Sequence, residues 1–510
     1  MLSRLLDPGA DWEVLVIGGG ATGLGTAVDA AARGYRTALV EGEDFAKGSS
    51  SRSTKLIHGG VRYLQQGHLP LVFEALHERA LLLRNAPHLV RELSFVVPTY
   101  DWWEGPYYGL GLKLYDLLAR GGLGASHLLS REEALDRLPT LEPKGLRSGI
   151  SYQDAQFDDA RLALALAQTA ADLGGVVVNH LPVTGLIKEG DRVRGVRVRD
   201  AETGAEHEVR AHGVVNATGV FADGVRRMDD PGSDRLLAPS QGVHLVLDRR
   251  FQPGESALLV PHTDDGRVLF AVPWHDRVIV GTTDTPVESP SLEPRPQAQE
   301  VEFLLAHARR YLIHDPGPGD VLACFAGLRP LVGKLGHDSA KTAALSRDHT
   351  LLVSPSCLVT VAGGKWTTYR RMAADTVDQV AQVVGLEKRP STTAELPLHG
   401  PDAAGLASVA AERPGWNEPL HLNLPYRVCD VVWAARHEMA RTVEDVLARR
   451  TRSLLLDARA SEEVAPAVTA LLAAELGRDE AWQQAQVAEY RELARGYLLE
   501  GTKERNQEWS

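Results

Sequence analysis

Gly18, Gly20 and Gly23 stand in the spacing G-x-G-x-x-G. The apolar run Val14-Leu15-Val16-Ile17 precedes them, and the small-residue run Leu24 to Arg33 follows. Strand, glycine turn and helix in that order form a phosphate cradle. Gly18 permits a tight turn, Gly20 admits a pyrophosphate close to backbone, and Gly23 lets the helix pack on the strand. The helix N-terminus, with Ala21 and Thr22 beside it, then offers free N–H groups and partial positive charge. A second apolar run, Thr37-Ala38-Leu39-Val40, ends at Glu41, 18 residues after Gly23. A carboxylate at that distance suits an adenosine ribose.

Two more strands run into turns of small residues. Gly213-Val214-Val215-Asn216 leads to Ala217-Thr218-Gly219, and Leu358-Val359-Thr360-Val361 leads to Ala362-Gly363-Gly364-Lys365. Three returns to one sheet suit a dinucleotide held at both ends, which favours FAD over NAD. Hydride transfer from an alcohol to a flavin needs a base for the hydroxyl proton and positive charge near the flavin N1/O2 edge. Gly363, Gly364 and the helix after them bring backbone N–H groups and a dipole to that edge. His58, His244 and Lys365 are the candidate bases. Arg62, Arg329, Arg347 and Lys365 are candidates to hold an anionic substrate, arginine being suited to a forked phosphate contact. Arg329 lies in Gly327-Leu328-Arg329-Pro330-Leu331, between apolar neighbours. A buried arginine needs a partner, and an anionic ligand is one. His58, between Ile57 and Gly59, fits a buried structural histidine equally well.

Length and composition set the frame for these residues. The 510 residues leave room for two or three domains. The hydrophobic share of 44% and charged share of 24% are those of a soluble globular chain. A net charge of −12 argues against a nucleic-acid partner. Cys324, Cys357 and Cys429 match neither a zinc spacing nor a disulfide framework, as in a reducing compartment. Met1 to Asp11 lacks the apolar core of a secretory signal. Charge-free runs reach about 15 residues, as at Thr350 to Gly364, short of the roughly 18 that span a membrane.

The elements follow from periodicity. Leu69 to Arg91 reads as a helix through Leu71, Val72, Ala75, Leu76, Ala80 and Leu83, ended by Pro87. Tyr107 to Arg120 is aromatic and apolar, open to two readings: a core-facing helix or an amphipathic segment on a membrane surface. Asp158 to Asp172 reads as a helix, Gly175 to Val178 as a strand, and Val183 to Val198 as a hairpin or meander. Leu236 to Asp284 is strand-rich and forms a separate antiparallel sheet. Pro286 to Pro296 is a loop, Gln299 to Ile313 a helix, Pro390 to Pro401 a linker, and the chain from Asp430 is helical. The fold class is α/β with an α+β composite character. A discontinuous Rossmann-like FAD-binding domain is expected at 1–95, 155–235 and 350–390. An antiparallel-sheet substrate domain is expected at 96–154 and 236–349, and a helical C-terminal domain at 391–510.

The chain resembles the FAD-dependent (respiratory) glycerol-3-phosphate dehydrogenases, within the glycine/D-amino-acid-oxidase-like flavoproteins. The resemblance rests on Ile17 to Gly23, Ser53-Thr54-Lys55-Leu56-Ile57-His58-Gly59-Gly60-Val61-Arg62-Tyr63-Leu64 and Asn216 to Gly219. It extends through Gly281-Thr282-Thr283-Asp284, Gly327 to Leu331, Gly363-Gly364-Lys365-Trp366-Thr367-Thr368-Tyr369-Arg370 and Val446 to Arg452. It implies oxidation of glycerol 3-phosphate to dihydroxyacetone phosphate, with electrons passing through FAD to a membrane quinone. It places Arg62, Tyr63, Arg329 and Lys365 in the substrate pocket, with His244, Asp276 and Arg347 matching more loosely. The cofactor contacts it implies fall on the three glycine turns, Glu41, Ser53, Thr54, Lys55, His58, Gly59, Gly60, Val183 and Thr367. A related oxidase that passes electrons to O2 shares the motifs but carries an added insertion, which is not evident here. The implied location is cytoplasmic, with peripheral contact on the cytoplasmic face of the cell membrane. The oligomeric state is open, a homodimer included.

Overall fold

The computed structural model describes residues 1–59, 69–102, 104, 108–109, 111–113, 115, 124–261, 263–264, 266–333 and 349–499. Two large sheets organise them. With strands numbered in chain order, the first sheet has β1 (Trp12–Ile17) at its centre. Its order is β17 (His349–Val353), β18 (Val359–Gly363), β10 (Glu206–Asn216), β1, β2 (Thr37–Val40), β7 (Val176–Val178). β1 runs parallel to β2 and β10, and β18 runs parallel to β10. The strand edges that carry Gly18, Ala217 and Gly363 therefore meet at one end of the sheet.

Alternation along β1 and β2 decides the layers. Val14, Val16 and Leu39 pack against the helices Ala21–Ala32, Asp159–Asp172 and Tyr369–Val384. Leu15, Ile17, Ala38 and Val40 pack instead against a meander of β8 (Val183–Glu189), β9 (Arg192–Arg199) and β10. The central strands are thus buried on both faces, as their unbroken apolar runs require.

The second sheet is antiparallel apart from one pair. It contains β11 (Ser240–Asp248), β13 (Leu269–Trp274), β14 (Arg277–Gly281) and β16 (Val321–Arg329), with β12 (Ala257–Val260) joining them to β4 (Val90–Thr99) and β6 (Ser148–Phe157). β4 and β6 pair over their whole length, from Val90 opposite Phe157 to Thr99 opposite Ser148. The boundaries expected at 95 and 155 fall inside these two strands, and backbone pairing carries both strands, with β3 (Leu56–Ile57), into the second sheet. The long helix spans Leu69–Asn85, ending two residues before Pro87, and the chain then turns into β4.

The C-terminal segment is helical, with helices Val428–His437, Ala458–Leu476 and Glu480–Arg495. It covers one face of the second sheet. Val246, Ile279 and Phe325 share a core with Leu447, Leu455 and Val464. Val243, Leu245 and Leu247 point the other way, to Leu304 and Leu305 of the Ala298–Tyr311 helix. The expected linker at Pro390 to Pro401 is a strap bound to the first domain. Ser391 and Thr393 hydroxyls donate to Asp29, Leu398 N donates to Asn85 O at 2.9 Å, and His399 N donates to Thr169 Oγ1 at 2.9 Å. Among the described residues, no helix is long and apolar enough to cross a membrane. Within Tyr107 to Arg120, the described Tyr108, Leu112 and Tyr115 are buried in one core, the packing of a core-facing helix.

Candidate active site

The glycine turn is shaped by atoms that leave no room for side chains. Gly18 has φ +110°, and a Cβ on Gly23 would sit 1.8 Å from the Gly18 carbonyl oxygen. The helix begins at Ala21, three residues earlier than expected, with Gly20 as its N-cap. Its first turn is bare of acidic side chains, and Ala21 N donates to Ser50 Oγ at 2.9 Å. This is a helix N-terminus arranged for a pyrophosphate.

The adenosine end gathers beside it. The Glu41 carboxylate accepts from Gly19 N and, at 2.8 Å, from Glu43 N. Burial pushes its pKa up, against these two hydrogen bonds. Leu181 N donates to Glu41 O at 2.7 Å, and Pro182 packs on Gly42, which sets Val183 next to this corner. On the other side of Gly18, Ala217 N donates to Ile17 O at 2.9 Å, and Thr218 and Gly219 continue that turn. Gly363 and Gly364 both have positive φ, 78° and 79°, and Trp366 Nε1 donates to Ser50 O at 2.9 Å. Lys365 and the buried Thr367 are thereby brought to the same loop as the first turn. The three returns meet as expected.

The segment 49–59 is the hub between the two sheets. Ser49 Oγ donates to Leu328 O, Ser53 binds Asp159, and Gly59 N donates to Tyr115 Oη at 2.9 Å. Gly59 has no space for a side chain, because a Cβ there would lie 2.4 Å from that phenol oxygen. Next to it, His58 stands at the end of β3.

His244 and Arg329 form the other wall. They lie on neighbouring strands, β11 and β16, in the register Ser240 opposite Arg329 and His244 opposite Phe325. The His244 ring stacks on Phe325 at 4.7 Å and 15°. Two glycines make the room. A Cβ on Gly281 would lie 2.3 Å from His244 Cδ2, and one on Gly242 would lie 2.4 Å from Arg329 Nη2. Arg329 Nη2 donates to Thr282 Oγ1 at 2.9 Å and Thr283 O at 2.8 Å, and Nη1 pairs with Asp284 at 3.1 Å. His244 Nε2 lies 2.9 Å from Thr54 Oγ1, while Nδ1 is sealed inside without a partner among the described residues. Burial, then the Lys55 ammonium and the Arg329 guanidinium, hold the imidazole well below its ordinary pKa. The ring is therefore neutral at pH 7.

Two expected site residues are placed otherwise. Asp276 is in the turn between β13 and β14, its side chain 88% exposed and facing Arg277. Gly281, which touches His244, ends the same hairpin at the opposite end of β14, so the rise of the strand takes Asp276 out of the pocket. The Lys55 ammonium is turned into the interior, where it binds Asp159 at 2.6 Å and Ser51 O at 2.7 Å with no exposure. Gly60, Arg62, Tyr63 and Arg347 lie outside the described residues. Thr282 and Asp284, which orient Arg329, went unassigned in the sequence reading, though Gly281 to Asp284 stands among its motifs. Asp159 carries no local signal, and Arg452, though it ends the Val446 to Arg452 motif, was given no role by it.

A family model described as FAD dependent oxidoreductase matches residues 13–370, and one described as the C-terminal domain of alpha-glycerophosphate oxidase matches 359–483. The chain is 42% identical to the mitochondrial glycerol-3-phosphate dehydrogenase of Homo sapiens, over 96% of this chain and 73% of that one. It belongs to the FAD-dependent glycerol-3-phosphate dehydrogenases. The glycerol-3-phosphate dehydrogenase of Bacillus halodurans, solved with FAD, superposes with a TM-score of 0.77 at 28% identity, covering 99% of this chain and 98% of that one. The L-alpha-glycerophosphate oxidase of Mycoplasma pneumoniae shares the fold at 17% identity and a TM-score of 0.57, over 75% of this chain and 97% of that one. FAD is the cofactor of this dehydrogenase family, and the residues present fit it. The glycine cradle accepts no Cβ, Glu41 stands at the adenosine corner, and Gly363 and Gly364 open the far end.

Proposed function

We propose that the protein oxidises sn-glycerol 3-phosphate to dihydroxyacetone phosphate by hydride transfer from C2 to flavin N5, and that the electrons leave to a membrane quinone. The observation that carries this reading is the pairing of His244 over Gly281 with Arg329 over Gly242, on the sheet face capped by Thr54. The bound flavin supplies the hydride acceptor. Arg329, held by Thr282, Thr283 and Asp284, presents a guanidinium to the phosphate. Lys365 adds a second cation from the Gly363–Gly364 turn.

His244 takes the C2 hydroxyl proton at Nε2 through the Thr54 hydroxyl, which gives its own proton to the ring as it accepts the substrate's, since Nδ1 is sealed away. Its neutrality in the free enzyme keeps that nitrogen ready to accept. A phosphate dianion bound beside Arg329 offsets the positive field on the ring and raises its basicity when substrate is present. Burial excludes water from the same ring.

A quinone acceptor implies contact with a membrane surface, on the cytoplasmic face of the cell membrane. A groove of about 580 Å³ supports this, lined by Trp102, Leu128, Lys113, His127 and Arg147. Trp102 and Leu128 are 78% and 70% exposed. Exposed apolar side chains beside Lys113 and Arg147, which outnumber the one acid of the lining, Asp101, suit a peripheral membrane contact.

Anaerobic addition of glycerol 3-phosphate to purified holoenzyme tests the substrate: the flavin absorbance should bleach, and an unchanged spectrum overturns the assignment. Turnover with a soluble quinone, and no stoichiometric peroxide in air, is the expected acceptor result. Peroxide at the rate of substrate oxidation would make the protein an oxidase. Co-sedimentation with anionic vesicles should weaken on Trp102→Ala and Leu128→Ala, and equal binding would move the membrane face elsewhere.

A further inference from the structure

One carboxylate connects the helical C-terminal domain to the loop that touches His244. Asp159 opens the Asp159–Asp172 helix and is fully buried. Its Oδ2 accepts from Lys55 Nζ at 2.6 Å, Ser53 Oγ at 2.7 Å and Ser53 N at 3.0 Å. Its Oδ1 accepts from Arg452 Nη2 at 2.8 Å. Arg452 also donates to Ser51 O at 2.9 Å, the carbonyl that Lys55 shares. Thr54 is flanked by the two residues bound to Asp159, and its hydroxyl meets His244 Nε2.

This arrangement is costly for mere domain adhesion. Two cations share a largely dry interior with the Asp159 carboxylate, and Arg452 Nε also faces Asp158 at 3.5 Å; apolar packing would hold the domains together at less expense. Burial brings the Lys55 pKa down to about 8, resisted by Asp159 and reinforced by Arg452. Lys55 and Arg452 both adopt left-handed backbone, with φ of 62° and 57°. Strain of this kind persists where a site demands it. The cluster also touches the pocket directly. Both cations lie 5.5 Å from the Trp274 ring, and Lys55 lies 5.2 Å from Phe325, on which His244 stacks.

We propose that Lys55, Asp159 and Arg452 are positioning residues for His244. Arg452, delivered by the C-terminal domain, completes a clamp that sets Thr54 against the imidazole, so docking of that domain is a step in assembling the active site. The proposal rests on His244 as the proton acceptor. The charged groups facing His244 are Lys55 from the hub segment and Arg329 from β16; Lys55 faces Asp159, Asp158 and Arg452, and Arg329 faces Asp284.

The test uses full-length holoenzyme carrying Thr54→Val, Arg452→Lys, both together, or His244→Gln. Flavin content and thermal midpoint are measured first. Arg452→Lys should keep its flavin, lower kcat on the order of tenfold with KM nearly unchanged, and move the acid limb of the pH profile in the same direction as Thr54→Val. The double variant should lose little more than Thr54→Val alone, since both act through one contact. An Arg452→Lys enzyme with wild-type kcat and pH profile overturns the clamp, as do losses that multiply in the double variant. If Arg452→Lys does not fold, Ser53→Ala removes one hydroxyl from Asp159 and is read by the same limb: displaced supports the clamp, unmoved overturns it. His244→Gln separates the two readings. A wild-type profile there removes His244 as the acceptor and the clamp with it. A lost limb there, with an unmoved limb in Arg452→Lys, removes the clamp alone.

Discussion

The hydroxyl of Thr54 lies 2.9 Å from Nε2 of His244, across 190 positions of sequence. One residue belongs to the loop after the cofactor strands, the other to the middle of the second sheet. Their meeting places a cofactor-side segment and a substrate-side strand in one hydrogen bond. It is the point where the two domains become one site.

Arg329→Leu removes a guanidinium that four groups hold in place. A lost charge-assisted phosphate contact is worth roughly 1.5–3 kcal/mol, so kcat/KM for glycerol 3-phosphate should fall about 10- to 150-fold. Flavin content should stay at the wild-type level. An unchanged kcat/KM would take Arg329 out of the pocket.

Gly281→Ala and Gly242→Ala should fail differently. The first puts a methyl 2.3 Å from a ring stacked on Phe325, which has nowhere to go. The second meets the Arg329 guanidinium and the Thr282 hydroxyl that orients it, and so displaces the phosphate-binding group rather than the ring. Steady-state kinetics should show mainly a kcat loss for Gly281→Ala and mainly a KM rise for Gly242→Ala.

The imidazole of His244 is held neutral by burial and by the Lys55 and Arg329 charges. The acid limb of kcat/KM, which reports the free enzyme, should therefore lie well below pH 6.5, the ordinary value for a histidine. The limb of kcat reports the complex and should lie higher, because bound phosphate favours the charged ring. Coincident limbs in the two profiles would exclude His244 as the titrating base.

His180 of the first domain meets Asp445 of the C-terminal domain at 2.9 Å. Burial opposes a charge on the ring, but the Asp445 carboxylate outweighs it and lifts the pKa above the ordinary value. A raised folded-state pKa means the folded protein binds the proton more tightly. The stability gained is complete below about pH 6.5 and is lost as pH rises through the lifted value. His180→Asn tolerates the positive φ at this position, 54°, and removes the titration. The thermal midpoint of the wild type should exceed that of the variant by more at pH 6 than at pH 9. A constant difference would deny the pair its charge.

Cofactor type was legible because it rests on short-range features. Gly18 and Gly23 have reasons to be glycine within the motif itself, the φ of +110° at Gly18 and the Gly18 carbonyl 1.8 Å from the Gly23 Cβ position, whereas Gly20 is crowded by the distant Ser50. His244 and Arg329 stood out in the sequence as candidates, through motif likeness and an arginine set among apolar neighbours, and sheet register brings them onto neighbouring strands. Asp276 was misplaced because nearness in sequence to Trp274 says nothing about which end of a hairpin reaches the pocket. The Pro390 to Pro401 stretch looked like a linker because its prolines and polar residues resemble one, whereas its hydroxyls and backbone bond Asp29, Asn85 and Thr169.

By itself the sequence determined the dinucleotide cradle and the three returns to one sheet. Each depends on residue type at fixed local spacing, and local spacing survives in a one-dimensional string. Only the tertiary structure decided that Asp159 binds Ser53, Lys55 and Arg452 together, that Thr54 meets His244, and that Gly242 and Gly281 open the pocket floor. Those contacts join residues separated by 37 to 293 positions. They exist because sheet register and the docked C-terminal helices bring distant side chains into one dry volume, where each buried charge must find a partner.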